Sequence, residues 1–597
     1  MQQNPETPKN FLTERQRFII LLFVFPLAFA LGSIGYWRYN AEEGFAGALT
    51  AMYHSLQLFI LHAPHFERPL PLPLELGRWL ALITTVMAVV DIAIHILHNE
   101  KMEWKRNRKK NHVIVCGLGT RGMDMVLKLH GLKQDVIAIE KSPLPDGIEH
   151  LNRLGIPLVC GDASDTEILK LARIEYAKEI YAFGPGDTIN LYIATAASTI
   201  KTKNSTPRKC TIFIGDAELR NALQGNNQQL TDNASQIIHF VEPFGPEANT
   251  LLTDALPLDH DGIGPDDPRS VHLVILGFGI MGRTIAVKAA QLGRFANRKT
   301  LQISVIDRFA TLHHDSLLFH HPFIEEVANL RFYMQEVLSP ETRSMISKWG
   351  AEKDVLLNVV ICFDNPSLAF DVVFNMLPEL NKSNIRVGVR LHESESFNFM
   401  LLGAIDHYKQ LNICVFGIDS NFGEFTGTAH SDTEDFARDV HQAYIKVVEK
   451  NTANDPVKRE EMANSGELTP WESLGEDFRE SNRQQAIHMK FKIRACGFEI
   501  AQKDDPREAV QQIEEPARTA LAIMEHDRWV AERKVNNWTH DSSSDKRRRI
   551  SKYLIDWAEL PPSIRQFDYD TVENIPNYLD LMGKKLVRRE PKDDLTS

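Results

Sequence analysis

The sequence predicts an α-helical two-span membrane domain, then two α/β Rossmann-like lobes and a small all-α domain, and three observations carry that prediction. Two apolar segments, Phe18–Trp37 and Trp79–Leu97, are each about the length that crosses a hydrocarbon core as a helix, roughly 20 residues. Two glycine fingerprints, Gly117-Leu118-Gly119-Thr120-Arg121-Gly122 and Gly277-Phe278-Gly279-Ile280-Met281-Gly282, each follow a short apolar run and precede a second run that ends on an acid. Beyond a polar stretch containing Pro456 and Gly466, short helical patterns carry Trp471, Trp529, Trp538 and Trp557. The 597 residues leave room for about three to five domains.

Residues 1–98 form the membrane part, with spans at about 18–37 and 79–97, and 99–111 reads as a linker. Phe18–Trp37 is too long for the apolar core of a secretory signal and is expected to stay as an anchor. Lys9, Arg15 and Arg17 precede the first span, and Lys101, Lys105, Arg106, Arg108, Lys109 and Lys110 follow the second. By the positive-inside rule both termini are cytoplasmic, in a multi-pass protein of the inner (plasma) membrane. Gly44–His62, between the spans, reads as a re-entrant segment, and a proline-rich return, Ala63–Leu74, follows it.

The order of span, re-entrant helix, return and second span resembles a two-span potassium-channel subunit. The stretch Ser55-Leu56-Gln57-Leu58-Phe59-Ile60-Leu61 departs from that family, because it lacks Thr-Val-Gly-Tyr-Gly, whose glycines permit the carbonyl-lined filter. Potassium selectivity is therefore not assured. Thr84, Asp91, His95 and His98 fall on one stripe of the second span. Ionisable residues at membrane depth face protein or water, so Asp91 is read either as lining a cation conduit or as locking helices together through His95 or Arg17. Ser55, Gln57, Thr84, Asp91 and His95 are the candidate pore residues.

The first lobe spans 112–253. His112–Val115, the glycine turn, a helix over Met123–His130 and a strand Asp135–Ile139 ending at Glu140 make a βαβ unit in the right order. Gly117, Gly119 and Gly122 permit a tight turn and a diphosphate on the helix N-terminus, with Glu140 placed for ribose hydroxyls. Gly155–Ala163, then a helix with Leu169 and Ala172, then Ala177–Phe183 follow. This succession resembles the nucleotide-binding lobe of RCK domains, the regulators of potassium conductance found in Trk-type transport proteins. The resemblance implies NAD(H) or an adenine nucleotide as ligand, held at Gly117, Gly119, Thr120, Gly122 and Glu140, with Asp162 beside it. A lobe that kept the fold and lost the ligand is the competing reading.

After a linker at 254–270, rich in Asp, Pro and Gly, residues 271–450 repeat the pattern. Gly277, Gly279, Gly282 and Asp307 are its candidate cofactor residues. The glycine-to-acid spacing is lengthened by the insertion Gly293–Thr300, and the Gly-Asp pair has no clean counterpart near Phe332–Glu336. Ligand binding here stands level with a purely structural role. The repetition suggests a ring of paired lobes in a homo-oligomer, read as a tetramer.

Residues 451–469 read as a linker, and 470–597 as the helical module. Ser481–Ala486, Met524-Glu525-His526-Asp527-Arg528-Trp529, Asn537-Trp538 and Trp557–Pro561 resemble the RyR domain, named for its repeats in ryanodine receptors, with Asn537-Trp538 where Gly-Trp is usual. Guanidinium groups hold phosphate bidentately and indoles stack on bases, so a second nucleotide-type ligand is expected. Asn482, Arg483, Glu525, His526, Arg528, Trp529 and Trp538 are the candidates, with Arg533 close by. The competing reading makes the tryptophans core and Glu525–Arg528 an intrahelical ion pair.

Six scattered cysteines show no metal-ligand spacing and read as reduced thiols, and a net charge of −12 argues against nucleic acid as a partner. The expected partners are the bilayer, inorganic cations, small nucleotides and further copies of the chain. The leading function is a nucleotide-regulated cation channel. Two alternatives are a membrane-anchored sensor of a nucleotide second messenger in stress or antiviral defence, and an anchored NAD-dependent oxidoreductase. Against an enzyme, no Tyr-x-x-x-Lys pair occurs and no substrate domain with a proton donor follows either lobe.

Overall fold

Near the N-terminus, glycines set how the helices meet. In the computed structural model α1 is Glu14–Asn40, α2 Phe45–Gln57 and α3 Leu72–Arg108. A Cβ on Gly77 would lie 2.7 Å from the backbone nitrogen of Gly32, and one on Gly35 would lie 2.5 Å from Leu74. Such close backbone approach holds helices together where lipid removes the hydrophobic drive between them. Large apolar side chains point outward instead, among them Phe23, Phe25 and Trp37 on α1 and Leu76, Trp79, Ile83 and Val86 on α3. Among the described residues one helical stretch, Leu72–Val90, is long and apolar enough to cross a membrane. The helix expected over Trp79–Leu97 is α3, which begins at Leu72 and continues to Arg108, so most of the expected linker at 99–111 is helix.

The structure describes residues 14–40, 44–60, 66, 68–215, 219–220, 223, 236–242, 244–363, 365–380, 385–391, 412–417, 432–451, 468–471, 474–545 and 548–590. They form two units, 1–109 with 145–157 and 110–144 with 158–597. The helix α5 (Pro145–Leu154) belongs to the first unit. The second unit is treated by itself below.

In the first lobe β1 (His112–Cys116), α4 (Thr120–Gly131) and β2 (Val136–Glu140) realise the predicted βαβ unit. They are followed by β3 (Leu158–Cys160), α6 (Thr166–Leu171), β4 (Ala177–Ala182), α7 (Asp187–Ser198), β5 (Arg208–Phe213) and β6 (Gln236–Val241). The sheet order is β3-β2-β1-β4-β5-β6 with every pairing parallel. The strand order reverses between β1 and β4, where doubly wound sheets open a crevice at their carboxyl ends.

The helix α8 (Gly245–Thr250) leads into the second lobe. There β7 (Ser270–Leu276), α9 (Ile280–Leu292), β8 (Gln302–Asp307), α10 (Ala310–His320), β9 (Asn329–Met334), α11 (Pro340–Gly350), β10 (Val355–Ile361), α12 (Pro366–Leu380), β11 (Arg386–Arg390) and β12 (Ile413–Phe416) follow in turn. Its order, β12-β11-β10-β7-β8-β9, is the same parallel winding. Continuous burial along β1, β7 and β10 explains their unbroken apolar runs, as strands covered on both faces require.

The expected linker at 254–270 is packed instead. Leu256, Leu258 and Ile263 are buried, and Asp259 forms a bidentate pair with Arg494, whose Nη2 lies 2.7 Å from Oδ1. Most of the second expected linker, 452–467, lies outside the described residues.

The C-terminal module contains α13 (Asp432–Asn451, from the end of the second lobe), α14 (Glu476–Ala495), α15 (Ala517–Val535), α16 (Pro562–Glu573) and α17 (Ile575–Leu581). It is not all-α: β13 (Phe498–Gln502) and β14 (Lys584–Arg588) pair antiparallel across more than eighty residues of sequence, a pairing no local pattern announces. One apolar core runs from Val271, Ile275 and Ile285 of the second lobe into Met489, Phe491, Leu521 and Met524 of the module. The insertion 293–300 docks the two, since Phe295 packs on Phe491 and Arg298 holds both Asp527 and Asp556.

Two buried histidines of this core set an acid limit. Burial, with Arg331 adding to it, pushes His272 down to about 4, and burial with Arg386 does the same for His260. Each folded value lies below the unfolded one of about 6.5, so the unfolded chain binds the extra proton between those values. Stability should therefore be fully present near neutral pH and fall as pH drops from 6.5 toward 4. Thermal unfolding at stepped pH checks this, and His272→Gln should flatten the slope.

Candidate functional site

The first glycine loop is built at the switch point. Gly117 has φ +91°, and a Cβ there would lie 2.5 Å from the Phe183 carbonyl oxygen. A Cβ on Gly122 would meet the Gly117 carbonyl oxygen at 1.8 Å, so the helix seats directly on the turn. Gly119 differs: it caps α4 at φ −59°, and nothing lies within 4 Å of where its Cβ would point. The helix N-terminus behind Gly119 therefore has room beside it for an anion.

Glu140 closes the other side. Its Oε2 accepts from the Leu118 N–H at 2.5 Å and its Oε1 from Ser142 N–H at 3.1 Å. Asp162 accepts from the Ser164 hydroxyl at 2.7 Å and from Lys141 Nζ at 2.9 Å, and these bonds hold its carboxyl down at about 2. Asn190 and Asp187 brace the floor: Asn190 Oδ1 accepts from Gly184 N–H and Asp187 Oδ1 from Gly215 N–H. The structure thus brings Gly117, Gly119, Gly122 and Glu140 together with Asp162 nearby, while the side chain of Thr120 lies outside the described residues. The arrangement fits a dinucleotide or adenine nucleotide: an open cradle for phosphate and an acid across from it.

The second loop repeats the frame but fills it differently. Asp307 accepts from Phe278 N–H at 2.9 Å and Phe309 N–H at 2.7 Å, with His313 at 3.6 Å. Phe278 is buried edge-on against Phe332, where Leu118 of the first loop is only half-buried. Gly277, Gly279, Gly282 and Asp307 therefore stand at a loop with aromatic rings packed beside it, while Gly279 itself is exposed, as Gly119 is.

In the module the expected phosphate-binding arginines are already engaged. Arg528, 2 % exposed, donates to Glu525 Oε1 from Nε and Nη2 at 3.1 and 2.8 Å and to Glu532 Oε2 at 2.8 Å. Glu525 also meets Lys492, and Glu532 accepts from the Ser481 hydroxyl. Arg483 pairs with Glu434 at 2.7 Å and Glu480 at 3.3 Å. The Asn482 amide donates to Phe478 O of its own helix, and His526 bonds to Ile555 O, its pKa lowered by burial. Trp529 and Trp538 are half-buried, not core, and Arg533 lies between them at 5.7 and 4.6 Å from the ring centres. Its Nε makes no hydrogen bond, and no carboxylate among the described residues pairs with it.

Of the pore candidates, the side chains of Ser55, Gln57 and Thr84 are described. Ser55 is fully buried, donating to Phe29 O at 2.8 Å, and Thr84 is buried, donating to Leu80 O at 2.7 Å. The tight packing at Gly32 takes Ser55 inside the helical hairpin. Gln57 bonds to His54 on its own helix at 3.0 Å. Asp91, His95 and His98 lie within α3, but their side chains are outside the described residues. None of the six cysteines is in a disulfide, three of them are buried, and no cluster of three metal-ligating side chains occurs among the described residues.

The winding, the glycine turn and the acid define the first lobe as an α/β lobe of the dinucleotide-binding kind. More particularly, residues 113–223, within the first lobe, match the model of the TrkA-N domain. The chain is 27% identical over 118 residues to the voltage-gated potassium channel Kch of Escherichia coli strain K12, which covers 19% of this chain and 27% of that one. It is 28% identical over 210 residues to an uncharacterized protein of Methanothermus fervidus, covering 33% and 31%. The chain thus spans about a third of the length of the curated relatives it matches. Similar solved structures include the GsuK channel bound to ADP (TM-score 0.34, 16% identity, 65% of this chain and 94% of that one). Another is the TrkA-N domain of inner membrane protein ybaL from Escherichia coli (TM-score 0.18, 22% identity, 24% and 96%).

Proposed function

We propose that the chain is a nucleotide-regulated cation channel of the inner membrane, multi-pass with both termini cytoplasmic, and not an enzyme. The observation that carries the reading is the open cradle at Gly119 with Glu140 across it, in a TrkA-N domain whose chain also holds an apolar helix with outward-facing side chains. In this reading two spans per chain assemble as a homotetramer, and NAD(H) or an adenine nucleotide in the first lobe biases a gate. A ligand does so only by binding one conformation better than the other. Protein purified into liposomes should pass cations when ADP or NAD is added. Ligand binding without flux would favour the anchored-sensor reading, which the burial of Ser55 and Thr84 also favours. Turnover of NAD with a substrate would favour the oxidoreductase.

The helical module, read as an RyR-type domain, adds a second sensor. Its anion contact is Arg533 between Trp529 and Trp538, rather than Arg528 or Arg483, whose guanidinium groups are held by carboxylates. A charge-assisted contact to a phosphate contributes about 1.5–3 kcal/mol, roughly ten- to a hundredfold in affinity. Of ATP and cyclic dinucleotides, whichever still stabilises a Gly119→Asp protein should bind at least tenfold more weakly once Arg533→Ala is added. Equal affinity would leave the tryptophan pair as packing alone.

A further inference from the structure

Arg121 sits in the first turn of α4, where a cation opposes the positive end of the helix dipole. An arginine in that place calls for a negative partner. The structure supplies one from outside the lobe: Arg121 Nη2 lies 3.6 Å from Glu247 Oε2, with both side chains about three-quarters buried. At that distance the two form an ion pair without a hydrogen bond, and Glu247 Oε1 is buried with no hydrogen-bond partner at all.

The guanidinium carbon also lies over Phe244, 3.4 Å from the ring centre, and Arg390 approaches the same ring at 5.2 Å. Phe244 and Glu247 belong to the start of α8, and Arg390 ends β11 of the second lobe. Glu247 Oε1 would also lie 3.0 Å from a Cβ on Gly417, just past β12. One side chain of the first glycine loop is therefore the near end of a stack reaching the second lobe.

We propose that Arg121 is a phosphate-binding residue of the first lobe for which Glu247 is the built-in competitor, so that a nucleotide diphosphate draws Arg121 from Glu247 and loosens the Arg121–Phe244–Arg390 stack. The proposal rests on the reading of the first lobe as a nucleotide site. Phosphate oxygens at hydrogen-bonding distance give a charge-assisted, bidentate partner that a carboxylate at 3.6 Å does not. By linkage, whatever strengthens the Arg121–Glu247 pair weakens nucleotide binding by the same factor, and the reverse.

Full-length protein in detergent, titrated calorimetrically with ADP, NAD and adenosine, tests it. Arg121→Ala should weaken ADP and NAD binding about tenfold or more and leave adenosine unchanged, because only the phosphates meet the guanidinium. Glu247→Gln should tighten ADP and NAD severalfold, and in an Arg121→Ala background it should do nothing. Wild-type binding of ADP with Glu247→Gln equal to or weaker than wild type overturns the competitor role. Equal losses for ADP and adenosine in Arg121→Ala would make Arg121 a structural residue. If wild type binds neither ADP nor NAD, the nucleotide reading of the lobe fails and this proposal with it.

Discussion

Replacing Arg528 with alanine should cost about 3–5 kcal/mol of stability, because it strands two carboxylates in the protein interior. Arg528 is buried and its three N–H contacts all go to Glu525 and Glu532. Lys492 would remain for Glu525, but Glu532 would keep only the Ser481 hydroxyl. The loss should not stay local. The module and the second lobe share one apolar core, and Arg494–Asp259, Arg298–Asp527 and Lys288–Glu480 tie them further. Chemical denaturation should therefore show the second lobe and module unfolding together at a lower midpoint. Arg528→Lys keeps the charge without the fork and should fall between. By contrast, Arg533→Ala should leave the midpoint near that of wild type, since its guanidinium meets two half-buried rings and no carboxylate. A wild-type midpoint in Arg528→Ala would mean that the interior reorganises to hydrate both acids.

The lobes were legible because their code is local. Each strand with an unbroken apolar run, each glycine turn and each terminal acid lies within some thirty residues, so the strands β1, β2, β7 and β8 on either side of the glycine turns were readable from local pattern. The module was not, because its decisive contacts are between distant residues. Glu525–Arg528 carries an i,i+3 signature and was readable as an ion pair, but Lys492 joins it from another helix and Glu434 reaches Arg483 from α13. Residues 254–270 looked like a linker because Asp, Pro and Gly are abundant, yet Asp259 is buried against Arg494, a partner no local pattern names. The same holds for Arg121, whose partners Glu247 and Phe244 lie far along the chain.

Distant pairing also links the parts. Arg220, Glu242, Lys288, Glu480, Arg483 and Glu434 form a run of alternating charge from the first lobe, through the glycine-loop helix α9, to the module. Although burial opposes it, Lys288 and Arg483 together hold Glu480 ionised, at about 2. Its folded pKa is below the usual carboxylate range, so this contribution is present above the unfolded value and is lost as pH falls toward 2.

Gly119→Asp should abolish stabilisation by ADP or NAD while the protein without ligand stays at least as stable as wild type. Three features of the loop separate those two effects. Gly119 has φ −59°, which any residue adopts, and open space where its side chain would go, so the backbone does not resist the change. It also caps α4, and aspartate is among the best N-cap residues, contributing up to about 1 kcal/mol over a poor cap. The new carboxylate nevertheless lies where phosphate would sit on the first-turn N–H groups, and like charge excludes it. Gly122→Ala gives the opposite pattern, since its Cβ would fall 1.8 Å from the Gly117 carbonyl oxygen and the helix would be pushed from its seat. That variant should lose stability before ligand is added. Gly279→Asp should change the ligand response less, because Phe278, Phe332 and His313 already crowd the second loop. Thermal shifts for the three variants with and without ADP or NAD decide the matter: a full wild-type shift in Gly119→Asp would move the nucleotide site out of the first lobe.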